Sequence, residues 1–85
     1  MISHLVSVGT TATLIVDSDN KNRDVYIHNG GGAKIYIGGS AVTTSTGFHL
    51  ANNESLSVFL PLGEKMYAVV ASGTNDINVL QPDLD

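Results

Sequence analysis

The chain contains no cysteine and no tryptophan, only two prolines, and only four basic side chains, Lys21, Arg23, Lys34 and Lys65, against eight acidic ones. Each shortage argues against something. Without cysteine, neither disulfides nor thiolate metal sites can reinforce a small core. A net charge of −4 leaves no basic stripe to neutralise phosphates, which argues against direct nucleic-acid binding and against an anionic membrane surface. The apolar runs are far too short for a membrane-spanning helix. The start Met1-Ile2-Ser3-His4 lacks the basic region and long apolar stretch of a secretion signal, so synthesis and use or assembly in the cytoplasm are expected. Eighty-five residues make one domain, 1–85, with 42% apolar and 14% charged residues, a composition that is neither disordered nor polyelectrolyte. A core of this size gives only a few kcal/mol of net stability, so support from self-association or a larger partner is expected.

What is present is alternation with a period of two. In Ser55-Leu56-Ser57-Val58-Phe59-Leu60, Leu56, Val58 and Leu60 share one side of a strand and Phe59 stands on the other. Met66, Ala68 and Val70 likewise oppose Tyr67 and Val69, while Tyr26 and Tyr36 oppose Val25/Ile27 and Ile35/Ile37. Eight short extended segments follow, near residues 3–8, 11–17, 23–29, 33–38, 41–45, 55–60, 65–72 and 76–81. Turns rich in Gly, Asn, Asp and Ser separate them. Asp17–Asn22 can bond its own backbone through Asx side chains, and Asn29-Gly30-Gly31-Gly32 supplies residues tolerant of positive φ. Phe48–Leu56 is too short, and too interrupted by Asn52-Asn53, to compete as a helix. The fold expected is all-β: a single-domain antiparallel β-sandwich, or a jelly-roll-like small barrel, of about eight short strands.

The inner face predicted from this pattern comprises Val6, Val8, Leu14, Val16, Val25, Ile27, Ile35, Ile37, Leu50, Leu56, Val58, Leu60, Met66, Ala68, Val70, Ile77 and Val79. Left over on second faces are Leu5, Ile15, Tyr26, Tyr36, Phe59, Tyr67 and Val69. For any one of them, cover by a loop is an ordinary explanation. Seven together exceed the scatter normal for a surface, and they point to packing against another molecule. The tails 1–4 and 81–85, the latter with only Leu84 as an apolar anchor after Pro82, are expected to be flexible unless a partner orders them.

Signals for chemistry are sparse. His4, His28 and His49 form no His-x-His pair and have no carboxylate at a fixed short offset, so no metal or other cofactor is assigned. Asp17, Asp19 and Asn20 resemble the start of a calcium loop, but the required Gly and terminal Glu are missing. The Gly30–Gly32 run is followed by no phosphate-binding pattern and no helix, and a hairpin turn is the reading preferred. No Gly-x-Ser-x-Gly elbow is present, and Asp17, Asp19, Asp24, Glu54, Glu64 and Asp76 are scattered among turns. The chain is read as a non-enzyme.

Four stretches carry a resemblance: Val25-Tyr26-Ile27-His28-Asn29, the run from Ile35-Tyr36-Ile37-Gly38-Gly39 to Gly47-Phe48, Leu50 to Val58, and Lys65 to Thr74. They resemble small virion proteins of tailed bacteriophages, in which an "N-x-G … V-Y-L-G-G-x-x-V-T-x-x-x-G" half is followed by "L-x-x-G-E-S-L-S-V" and "L-Y-A-V-x-A-S-G-T". The likeness covers about residues 25 to 80. Asn53 stands where those sequences commonly have Gly, and Phe48-His49 occupies an aromatic-plus-polar position. The resemblance implies a capsid decoration or minor capsid protein on the virion surface, made in the host bacterial cytoplasm. It further implies binding to the major capsid protein lattice as a homo-oligomer, with a trimer favoured. The interface expected is Tyr26, Tyr36, Phe59, Tyr67, Val69 and Leu5, because aromatic side chains dominate such contacts. The alternative is a tail-fibre or baseplate module for host-surface or glycan recognition, although the chain has no Trp and its Tyr residues lie on strands.

Overall fold

The computed structural model describes residues 1–83. Its elements are β1 (Ile2–Val8), β2 (Thr13–Val16), β3 (Arg23–Asn29), β4 (Ile35–Gly38), β5 (Phe48–Leu50), β6 (Glu54–Leu60), β7 (Met66–Val69) and β8 (Asn75–Gln81). They form two antiparallel four-stranded sheets, one in the order β1-β8-β3-β6 and the other in the order β2-β7-β4-β5. Strand pairs β1/β8, β2/β7, β3/β6 and β4/β5 nest one inside the next. The chain thus behaves as one long hairpin rolled into two layers, which is jelly-roll wiring, and it settles the expected sandwich-or-jelly-roll as both at once.

The two sheets face each other across Val8, Val25, Ile27, Ile35, Ile77, Val79 and Ala68, all at most 1% exposed, with Ile37, Leu50, Leu60, Met66 and Val70 around them. Val6, Leu56 and Val58 pack against this cluster from its rim and stay half-buried. β-branched residues dominate, as a pleated surface buried on one side favours.

Two expectations need correction. Leu14 was expected inside, but it is 39% exposed, and Ile15 takes its place at 2%. The ladder between β2 and β7 shifts register between Leu14 and Val16, so a bulge turns Ile15 and Val16 inward together. No strand forms at 41–45: residues 39–47 are a closed loop, and the strand begins at Phe48. The cause is local hydrogen bonding. Thr46 and Gly47 N–H donate to the Thr43 carbonyl at 3.3 and 2.9 Å, Thr43 N–H donates to Thr46 Oγ1 at 3.1 Å, and Ser45 N–H donates to Thr43 Oγ1 at 3.3 Å. Hydroxyls that satisfy the backbone in this way compete with a sheet ladder.

The ends have the following geometry. Residues 2–8 pair along their whole length with β8, Ile2 opposite Gln81, and the Met1 amine meets Asp83 Oδ1 at 2.7 Å. Within 1–4 and 81–83 the chain is therefore paired strand and an ion pair; Leu84 and Asp85 lie outside the described residues.

A buried polar knot closes one end of the sandwich. Asn29 is fully buried and Asn75 is 2% exposed. Asn29 Nδ2 donates to the carbonyls of Ala33 (2.7 Å) and Leu50 (2.9 Å), and Asn75 Nδ2 donates to Asn29 Oδ1 (2.8 Å). Ala33 N–H donates in turn to Asn75 Oδ1 at 3.1 Å. These two amides join the β3–β4 turn, the end of β5 and the start of β8, so the glycine turn is tied to both sheets.

Candidate interaction surfaces

The outward side of the β1-β8-β3-β6 sheet is built from every second residue of four strands. Cross-strand register sets Ser3, Leu80, Tyr26 and Ser57 in one row and Leu5, Asn78, His28 and Ser55 in the next, with Phe59 opposite Asp24. Leu5 is 63%, Tyr26 46%, Phe59 60% and Leu80 37% exposed. Four large apolar side chains thus stand on one open sheet face, interleaved with small polar ones. Between the first two rows lies a depression of about 210 Å3 lined by Ser3, Tyr26, His28, Ser55, Asn78 and Leu80. His28 Nδ1 and Ser55 Oγ are 2.8 Å apart across β3 and β6.

That pair has the atoms of a nucleophile and base but lies exposed on a flat sheet. No carboxylate is hydrogen-bonded to the imidazole among the described residues. The arrangement is a cross-strand hydrogen bond, and it gives no basis for assigning catalysis.

The outward side of the other sheet differs. Tyr36 and Tyr67 are only half-exposed, and Val69 is 4% exposed. The 39–47 loop folds back on this side: a Cβ at Gly47 would lie 2.5 Å from Tyr36 Cβ, one at Gly38 would lie 2.8 Å from Val42 Cγ2, and Val42 is itself buried. Val69 pairs with Tyr36 and precedes Val70, whose N–H donates to the Gly9 carbonyl at 3.0 Å. Its burial withdraws Val69 from the expected interface, since a side chain already packed offers no area to a partner.

The six expected residues therefore do not form one patch. Leu5, Tyr26 and Phe59 share a face, whereas Tyr36, Tyr67 and Val69 are on the opposite sheet and wholly or partly covered. Further exposed apolar groups, Leu80, Phe48 and Leu62 among them, lie outside the expected set. Leu80 alternates with Ile77 and Val79 in β8 and was available to a strict period-two reading; Phe48, 64% exposed, was hidden by the misplaced strand at 41–45.

The histidines are dispersed. His4 points between the sheets, its Nε2 3.4 Å from the Ile15 carbonyl, while His28 and His49 lie on the outward sides of different sheets. Among the described residues no group of three His, Cys, Asp or Glu side chains converges on a point. Among the described residues no helix is long and apolar enough to cross a membrane.

The titration of the Asp83 carboxyl is displaced downward. The hydrogen bond from the Met1 amine holds it below its ordinary 3.8, helped by the charge of that amine and by Lys21. Lys21 Nζ also donates to the Asp83 carbonyl oxygen.

No protein-family model matches this chain, and no curated protein and no solved structure matches it either.

Proposed function

We propose that the chain is a bacteriophage virion structural protein that decorates the capsid shell, binding the major capsid protein lattice as a homo-oligomer. The observation that carries this reading is the open sheet face bearing Leu5, Tyr26, Phe59 and Leu80. A small acidic jelly roll has little reason to keep four large apolar side chains on one wet face unless a protein surface covers them. Each copy contributes modest contact area, and an oligomer on a repeating lattice multiplies it through effective concentration. The bacteriophage setting comes from the sequence resemblance over residues 25 to 80.

The test is co-sedimentation of purified protein with decoration-free capsids, followed by imaging of the shells. Saturable binding at regular positions is expected. Tyr26→Ser and Phe59→Ser should each weaken it by about tenfold or more, with an unchanged β-sheet circular dichroism spectrum. Tyr36→Ser should matter less, because Tyr36 is partly covered by the 39–47 loop.

A second reading, a tail-fibre or baseplate module for glycans, draws on the 210 Å3 depression, where the Tyr26 ring adjoins His28, Ser55 and Asn78. An aromatic ring beside hydroxyl-binding groups matches the two faces of a sugar. Saturable glycan-array binding abolished by Asn78→Ala, with no binding to shells, would favour this reading over decoration.

A further inference from the structure

We propose that two copies of this chain join edge to edge through β6, forming a continuous eight-stranded sheet about a two-fold axis at Ser57. The argument starts from the ladder. β3 and β6 pair from Arg23 opposite Leu60 to Asn29 opposite Glu54, and Asn29 turns its carbonyl to the β6 side, where it accepts from Asn53 N–H at 2.6 Å. Main-chain groups alternate sides along a strand, so Glu54, Leu56, Val58 and Leu60 bond to β3 while Ser55, Ser57 and Phe59 direct N–H and C=O outward. β6 is an edge strand, seven residues long and regular, and from Ser55 to Leu60 it has no charge and no proline to block pairing.

This edge is complementary to itself. An antiparallel pair centred on Ser57 sets Ser57 against Ser57 of the second copy and Phe59 against Ser55 of the second copy. About six new inter-strand hydrogen bonds then use every outward main-chain group of the three residues. The same register places Leu56 opposite Val58 of the second copy on the inner side, so apolar meets apolar and small meets large without a slip. Beside β6 opens an apolar cleft of about 280 Å3 lined by Ile37, Phe48, Leu56, Val58 and Met66. Pairing brings the inner-face side chains of a second β6 to its mouth, where the exposed Phe48 stands. Glu54 meets the Leu60 end of the other copy, where Lys65, 4.0 Å from Asp17 Oδ1, lines the surface beside Leu60 together with Glu64.

The remaining edges are poorer candidates. β2 and β5 have four and three residues, and β2 is bulged. β1 has seven, but His4 lies in its inward row and Asp17 and Gln81 line the cleft beside it, so pairing there would enclose polar groups. The second copy on β6 does not depend on the capsid reading, and it favours a two-fold over the three-fold assembly implied by the resemblance, because an isologous edge pair closes on itself.

Sedimentation equilibrium of the full chain, with two substitutions, decides the matter. The expected mass is twice the 8.9 kDa monomer. Ser57→Lys places like charges face to face on the axis at an exposed position and should raise the dimer dissociation constant at least about tenfold. Ser57→Cys, in a chain with no other thiol, should form a disulfide-linked dimer under mild oxidation, because paired Cα atoms about 5.5 Å apart fit a disulfide. A monomer persisting at about 1 mM, a three-copy mass, a dimer indifferent to Ser57→Lys, or faster cross-linking of Leu5→Cys than of Ser57→Cys would each overturn the proposal.

Discussion

At the scale of single residues, the amides of Asn29 and Asn75 do more than their turn-forming reputation implies. The Asn29-Gly30-Gly31-Gly32 run was legible as a reversal, and Gly32 indeed has φ 98°. Its attachment to the rest of the molecule was not, because the partners are 21 and 46 residues away. Asn29→Ala would leave the Ala33 and Leu50 carbonyls and the Asn75 amide without their partner, and it should cost about 3 kcal/mol in urea unfolding. Asn53 shows the opposite case: its φ of 67° is the geometry that glycine adopts most easily, which fits the Gly common at this position in the resembling sequences. The expected interface was likewise only half legible residue by residue. Alternation correctly turned Tyr26, Tyr36, Phe59 and Tyr67 away from the core, yet it is blind to whether a loop then lies over them.

At the scale of elements, the largest departure is the 39–47 loop. Its Thr-rich sequence has high strand propensity, but propensity is outweighed where hydroxyls close a local turn on Thr43. The loop has a structural task, since it covers the outward side of β4 and buries Val42 against Gly38 there. Gly47 makes that approach feasible. Gly47→Ala, with its methyl directed at Tyr36 Cβ, should destabilise the fold by about 2 kcal/mol, whereas Gly39→Ala, which meets nothing within 4 Å, should change stability by less than about 0.5 kcal/mol. Paired thermal melts followed by circular dichroism check the difference. The β2 bulge teaches the same lesson on a smaller scale. Leu14-Ile15-Val16 has no internal signal for which apolar residue is the extra one, and the ladder to β7 decides.

At the scale of the whole molecule, the two ends of the described chain meet. β1 and β8 pair along their full length, and the Met1 amine with Lys21 holds Asp83. Because the Asp83 carboxyl sits below its ordinary 3.8 in the folded state, this tie is fully present above that value and is lost as pH falls through the lowered one. A carbon-detected NMR titration should place the Asp83 midpoint below 3.8, and Lys21→Ala should move it upward. A midpoint at or above 3.8 in the intact chain would show that the ends are not joined in this way. By itself, the sequence determined the all-β class, the positions of seven of the eight strands and nearly the whole core, because alternation and turn chemistry act over a few residues. Only the tertiary structure decided the jelly-roll wiring, which of the second-face aromatics remain open and which strand edge is free. Those properties depend on which distant segments lie side by side, and a period-two pattern contains no information about its neighbour.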